Sequence, residues 1–326
     1  MITKQTVFIL GAGASQPFNL PLGRELLMKV SDSLKYMPQQ ESYVANPNPY
    51  SGTPRHQLRN IDDDSLSRNQ LFQYLLNNDQ KRQFIEAFQK NLIRSEINSV
   101  DAFLEFRSNY TEIGKIAIAY NLLKLESEKN LFENTDWYKY VWNKMITEFD
   151  LIAQNKVAFI TYNYDRTLEY YFVKTMSALY GKSEIECYTK LRSIPIIHLH
   201  GKLGELPYNG QTTDIPFGDQ LTDLTKLQTI SKSIKIIHED TEKNEEFLSA
   251  RELLSKADKV CMLGFGFHQK NIDRLQLNKL KIKIQASGFG LAASDKNTIM
   301  RNNPHIVIGH PAYKCKDFLE NEFEIE

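Results

Sequence analysis

The sequence predicts an α/β fold: a Rossmann-like, mostly parallel sheet flanked by helices, with a helical insertion after the first strand. Three observations predict it. Short apolar, β-branched runs recur along the chain, several of them continuous rather than alternating, as strands buried on both faces read. Helical patterns lie between many of these runs, and strands that alternate with helices build parallel sheets. The first run, Thr6–Leu10, passes directly into Gly11-Ala12-Gly13-Ala14-Ser15, the strand-to-glycine turn with which such sheets begin.

In chain order, strands are predicted at Thr6–Leu10, Val157–Thr161, Ile194–Leu199, Ile234–Ile237, Lys259–Leu263, Ile282–Ala286 and His305–Ile308. Helices are predicted at Asp165–Leu179, Asn244–Lys256 and Asn271–Leu280. The long gap after the first strand divides in two. Pro38–Ser67 is rich in Asn, Pro, Ser, Gln and Asp and reads as a polar loop. Gln70–Phe149 is strongly helical, with Val100, Phe103, Leu104, Ile113, Ile116, Ala117, Tyr120 and Leu123 at helical spacing. Residues 68–150 thus read as a helical module inserted into, or packed beside, one domain spanning 1–326. A second irregular stretch, Gly201–Thr229, follows a candidate catalytic histidine, and residues 202–230 read as a lid loop.

Bulk properties narrow the function classes. Lysine plus arginine equals aspartate plus glutamate, 40 each, so no basic field draws the chain to nucleic acid or a membrane surface. No apolar run of about 18 residues predicts a membrane span. The N-terminus enters the first strand without a secretory pattern. Cys187, Cys261 and Cys315 stand far apart and form no C-x-x-C pair, so neither a disulfide framework nor a structural zinc is indicated, and a reducing cytoplasm fits. The strand ends lack the acidic cluster that would hold a nuclease metal.

The turn after the first strand carries the chemistry. Gly11 and Gly13 permit positive φ and close approach of backbone to a phosphate. The third glycine of G-x-G-x-x-G falls at Gln16, however, and no acidic-ended second strand follows about 20 residues on. The turn therefore points to a dinucleotide, and its departures point away from ordinary hydride transfer. Polar residues also stand at later strand ends, where open α/β sheets bind ligands: Thr161-Tyr162-Asn163-Tyr164-Asp165, His198-Leu199-His200-Gly201 and Gly264-Phe265-Gly266-Phe267-His268.

In this order, Gly11–Ser15, Thr161–Asp165, His200-Gly201 and Gly264-Phe265-Gly266 resemble the motifs of sirtuins across nearly the whole chain. Ser99–Leu104 and Leu263–His268 resemble the bacterial sirtuin-like proteins that hydrolyse NAD in defence against phage. Two departures matter. The four-cysteine zinc module of the deacetylases is absent after His200, and Pro21-Leu22-Gly23-Arg24 stands where a Pro-Asp-Phe-Arg-like segment is usual. The resemblance thus implies NAD as substrate, no metal, and cleavage to nicotinamide and ADP-ribose rather than deacetylation. It also implies control through a homo-oligomer or a separately encoded defence subunit such as an ATPase. A silent NAD or ADP-ribose sensor and an ADP-ribosyltransferase remain the alternatives.

On this resemblance, Asn163 holds the nicotinamide ribose and orients the attacking water, and His200 is the general base. Asn163 also suits a helix cap, and Asp165 suits either the nicotinamide side of the site or the cap of the helix that follows. His198 lies two residues before His200 and points to the same face of a regular strand, so parity does not separate them. Depth does: His200 is nearer the carboxyl end and directly precedes Gly201, which leaves His198 a structural role. Gly11, Ala12, Gly13 and Ser15 are expected at the pyrophosphate, and Thr161 is expected among the NAD-binding residues. Gly264, Gly266, His268 and Asn271 are expected at the adenosine half. Tyr162 and Tyr164 wall the pocket or the core, and Asp101, Glu105 and Arg107 form a cluster facing either the cleft or solvent.

Overall fold

The computed structural model describes residues 1–36, 63–78, 80–134, 136–208, 215–218, 221, 223–236 and 244–326. The chain runs β1 (Thr6–Leu10), α1 (Ala12–Ser15), α2 (Gly23–Ser33), α3 (Asp63–Asn77), α4 (Arg82–Arg94), α5 (Val100–Phe106), α6 (Thr111–Leu123), α7 (Glu128–Glu133) and α8 (Trp137–Met145). It continues through β2 (Val157–Thr161), α9 (Thr167–Tyr180), α10 (Glu184–Leu191), β3 (Ile196–His198), α11 (Lys226–Ser233), α12 (Glu245–Ser255) and β4 (Lys259–Leu263). It closes with α13 (Gln269–Arg274), β5 (Ile284–Ala286), α14 (Ala293–Asn302), β6 (Ile306–Ile308) and α15 (Cys315–Asn321).

The six strands form one parallel sheet in the order β3-β2-β1-β4-β5-β6. This is the Rossmann order, and its switch point lies between β1 and β4, where connections leave in opposite directions. The continuous apolar runs are explained by burial on both faces. Phe8, Leu10, Phe159, Cys261 and Leu263 pack under α8, α9, α10 and α15. Val7, Ile9, Ile160, Val260, Met262 and Ile284 pack under α12 and α13. In the first layer Phe8 and Phe159 are direct strand partners, with ring centroids 5.4 Å apart.

Local chemistry sets several helix ends. Ser99 caps α5 by accepting from Ala102 N at 3.2 Å. Ser183 and Glu186 form a reciprocal capping box at α10. Gly181, at φ 64°, ends α9 in the left-handed conformation.

A second apolar core lies beside the sheet. It gathers α2, α4, α5 and α6 with α11, joined by Leu203, Ile215, Ile234 and Ile236 from the segment after β3. α7 and α8, although they lie in the same stretch between β1 and β2, pack on the sheet layer instead. A buried ion pair ties the parts together. Arg166 donates to Glu126 through Nε (3.0 Å) and Nη2 (2.5 Å), and through Nη1 to the carbonyl of Ile215 at 2.7 Å.

Two expectations need correction. Ile234–Ile237 is not a strand among the described residues: Ile234 makes only an isolated antiparallel bridge to Gly201, and Ile237 lies outside the described residues. Its apolar residues satisfy themselves against the helices of the second core, so no sheet pairing is required of them. The loop expected at Pro38–Ser67 lies outside the described residues up to position 62, but from Asp63 the chain is already helical. Of the stretch 202–230, residues 209–214, 219–220 and 222 lie outside the described residues, and α11 begins at Lys226.

Candidate active site

The turns after β1 and β4 meet backbone to backbone at the switch point. Gly11 N donates to Leu263 O (3.0 Å) and Gly13 N to Gly264 O (2.9 Å). A Cβ on Gly11 would come within 2.6 Å of Gly264 O, and one on Gly13 within 2.8 Å of Gly264 Cα. Gly264 itself sits at φ 57°, and a Cβ there would lie 2.0 Å from Ala14 N. Gly11, by contrast, has φ −110° and Gly13 is helical, so neither needs the positive φ expected of it. These glycines let two loops touch, and their N–H groups are spent inside the protein.

Asn163, just past β2, is held on every side. Its N–H donates to Thr161 Oγ1 (3.0 Å), and its Nδ2 donates to Gly11 O and to Ser15 Oγ, both at 2.9 Å. Ser15 in turn donates to Asp165 Oδ2 at 2.8 Å, and Asp165 Oδ1 accepts from the hydroxyl and N–H of Thr167. Tyr138 OH meets Thr167 Oγ1 at 2.7 Å. Both amide protons of Asn163 are thereby committed, and its Oδ1 accepts no hydrogen bond from the described residues. Asp165 serves the start of α9 and the tether of Ser15 together. Burial raises its carboxyl above the usual carboxylate range, against the hydrogen bonds from Thr167 and Ser15.

The two histidines sit in different environments. His198 donates through Nδ1 to the Asn163 carbonyl (2.9 Å), and its Nε2 meets Glu169 Oε1 at 2.8 Å. Burial alone would raise Glu169 and lower His198; their mutual attraction overrides it, holding Glu169 down at about 2 and His198 above the ordinary imidazole value. His198 is therefore a strut, paired with Glu169, that fixes the Asn163 backbone. His200 is buried among rings: Tyr162 at 5.4 Å, Phe247 at 6.3 Å and Tyr164 at 6.5 Å between centroids. Burial lowers its pKa, partly opposed by Asp101, so the ring is neutral at pH 7.

Across the cleft, Asp101 of α5 accepts from Tyr164 OH, and Glu105 pairs with Lys270 of α13. Arg107 turns away over the Tyr110 ring. Tyr162 OH donates to the carbonyl of Asn271 at 2.9 Å.

A cavity of about 370 Å³ opens beside the glycine turns. Of the sequence candidates it brings together Ala12, Gly13, Gly264 and Gly266. Gly11, Ser15, Thr161, Asn163, Asp165 and His200 lie behind it or to its β2–β3 side, outside its wall. His268 is exposed at the start of α13 and does not line it, because the turn after Gly266 aims Phe267 inward instead. Sequence reasoning quoted Phe265 and Phe267 within a strand-end motif without giving them a role, and missed Ser287, Phe289, Lys314 and Cys315 in this wall. Ser287 stands at the carboxyl end of β5, so the strand-end rule applied to every strand would have found it. Glu169, inside a helix, had no sequence signal.

Among the described residues, no group of three or more His, Cys, Asp or Glu side chains is placed to hold a metal ion, and no helix is long and apolar enough to cross a membrane. No curated protein matches the chain. Residues 157–296, which run from β2 into α14 and carry Asn163, His200 and Gly264, match the family model of the SIR2-like domain, and this match supports a sirtuin-like, NAD-related family.

Proposed function

We propose that this protein cleaves the nicotinamide–ribose bond of NAD, releasing nicotinamide and ADP-ribose. One observation carries the reading: the Asn163 amide is oriented by Gly11 and Ser15 so that only its carbonyl oxygen remains to meet a ligand. That oxygen accepts a hydrogen bond from the attacking water or a ribose hydroxyl. Water oxygen bonds to the ribose C1′ as the C1′–N bond breaks. The bond's electron pair goes to the pyridinium, which leaves as neutral nicotinamide, so the leaving group needs no acid. The proton released by water passes to His200, whose neutral ring is the form that accepts it. The aromatic surroundings of His200 limit competing water.

We further assign the activity to NAD depletion in defence against phage, restrained by self-association or by a separately encoded subunit such as an ATPase. The likeness of Ser99–Leu104 and Leu263–His268 to that branch supports this assignment. The test is incubation of purified protein with NAD, with and without lysate from phage-infected cells, and chromatography of the products. Nicotinamide with ADP-ribose, lost in Asn163→Ala, is the expected result. NAD that stays intact in every condition yet raises the melting temperature would replace hydrolysis with sensing, and ADP-ribose attached to protein would replace it with transfer.

A further inference from the structure

The groups proposed to react and the open cavity stand on opposite sides of β1. Asn163 and His200 follow β2 and β3, whereas the far wall of the cavity follows β4, β5 and β6. With the nicotinamide ribose at Asn163, the adenosine half must extend over β4–β6. The usual reader of the adenosine ribose, an acidic residue at the end of the second strand, is then on the wrong side of the sheet. Whatever reads the 2′ position must come from the β4, β5 or β6 end.

Among the described residues that line the cavity, Lys314 is the one charged side chain, and none is a carboxylate. Lys314 is exposed just before α15, with Nζ 5.7 Å from the centroid of the Phe289 ring, and forms no ion pair within 4 Å among the described residues. The acidic groups nearby are engaged with backbone: Asp317 accepts from Lys314 N (3.2 Å) and Asp136 from Trp137 N (2.6 Å). Ser287 Oγ, the other strand-end candidate, accepts from Gly264 N at 2.9 Å.

We propose that Lys314 reads the adenosine ribose, and that its cation makes the site accept a 2′-phosphate, so that NADP is bound and cleaved as well as NAD. The proposal rests on the hydrolase reading above. A lysine is a point charge suited to phosphate, and among the described residues no carboxylate stands in the cavity wall itself, Asp136 and Asp317 being held beside it by backbone N–H groups.

The test is calorimetric titration of ADP-ribose and of its 2′-phosphorylated form into the wild type, Lys314→Met and Lys314→Arg; both ligands are products, so turnover does not intervene. The 2′-phosphorylated ligand should bind the wild type at least as tightly as ADP-ribose. Lys314→Met should weaken it by about tenfold or more, leave ADP-ribose within about twofold, and be rescued by Lys314→Arg. Failure of the phosphorylated ligand to bind the wild type, or equal weakening of both ligands, would overturn the proposal; the second result would place Lys314 at the pyrophosphate. If neither ligand binds, the proposal also falls, while the chromatographic assay of NAD cleavage decides the hydrolase reading separately.

Discussion

Gly264 is a position where a single methyl group should damage the site, and three glycines allow the reason to be separated. Gly266 has open space around it and no positive φ, so Gly266→Ala should be within about 0.5 kcal/mol of wild type. Gly290 has φ 73° and nothing within 4 Å, so Gly290→Ala isolates the left-handed backbone penalty of about 1–2 kcal/mol. Gly264 combines φ 57° with a Cβ position 2.0 Å from Ala14 N and 2.2 Å from Gly13 C. Both of those atoms are backbone, so no side chain can swing away, and an overpacking cost of about 1–3 kcal/mol adds to the conformational one. Gly264→Ala should therefore lose about 2–5 kcal/mol. With an unfolding entropy of about 2.1 cal/mol/K per residue, that is a fall of roughly 3–7 °C in melting temperature for a chain of this length, against roughly 2 °C for Gly290→Ala. Differential scanning calorimetry of the three variants is the assay. A Gly264→Ala melting temperature no lower than that of Gly290→Ala would refute the claim that the two turns touch at this point.

Further outcomes are expected. Asn163→Asp should abolish NAD cleavage, because a carboxylate cannot donate to Gly11 O and Ser15 Oγ, and His200→Ala should lose far more turnover than His198→Ala; the reverse order would exchange the roles of the two histidines. Ser15→Ala leaves a buried Asp165 oxygen without its donor and should cost about 1–3 kcal/mol by urea unfolding, while an unchanged midpoint would remove Ser15 from the network. Glu169 titrates in the fold at about 2 against an ordinary 4.5, so its contribution, about 3 kcal/mol, is present above pH 4.5 and lost as pH falls toward 2. His198, raised above 6.5, adds stability that is full below pH 6.5 and lost as pH rises past its folded value. The stability difference between wild type and Glu169→Gln should accordingly shrink from pH 5 to pH 3, and a constant difference would dissolve the pair. Arg166→Met strands the buried Glu126 carboxylate and should cost about 3–5 kcal/mol, with part of that recovered in the Glu126→Leu/Arg166→Met double variant; simple additivity would show the two side chains to be independent.

Much of the sheet was legible because burial on both faces leaves a mark that needs no neighbour to interpret. Thr6–Leu10, Val157–Thr161 and Lys259–Leu263 are apolar runs in sequence and five-residue strands in the fold. The same mark misled at Ile234–Ile237, since an apolar run records that something covers it but not whether the cover is a strand or a helix. Asn163, Asp165, His198 and His200 stood out as polar residues at strand ends. Glu169 did not, because a buried carboxylate on a helix looks like any surface glutamate until its partner is known.

By itself, then, the sequence determined the α/β class, the parallel sheet and the strand ends that carry polar chemistry, because period, burial and turn residues are local properties of the chain. Only the tertiary structure decided the rest: the strand order that puts Gly264 against Gly13, the sorting of helices between two cores, the pairing of His198 with Glu169, and the placement of Lys314 in a cavity on the far side of β1 from Asn163. Each of these is a meeting of residues distant in sequence, and its energy is a function of distance and burial that no stretch of chain encodes alone.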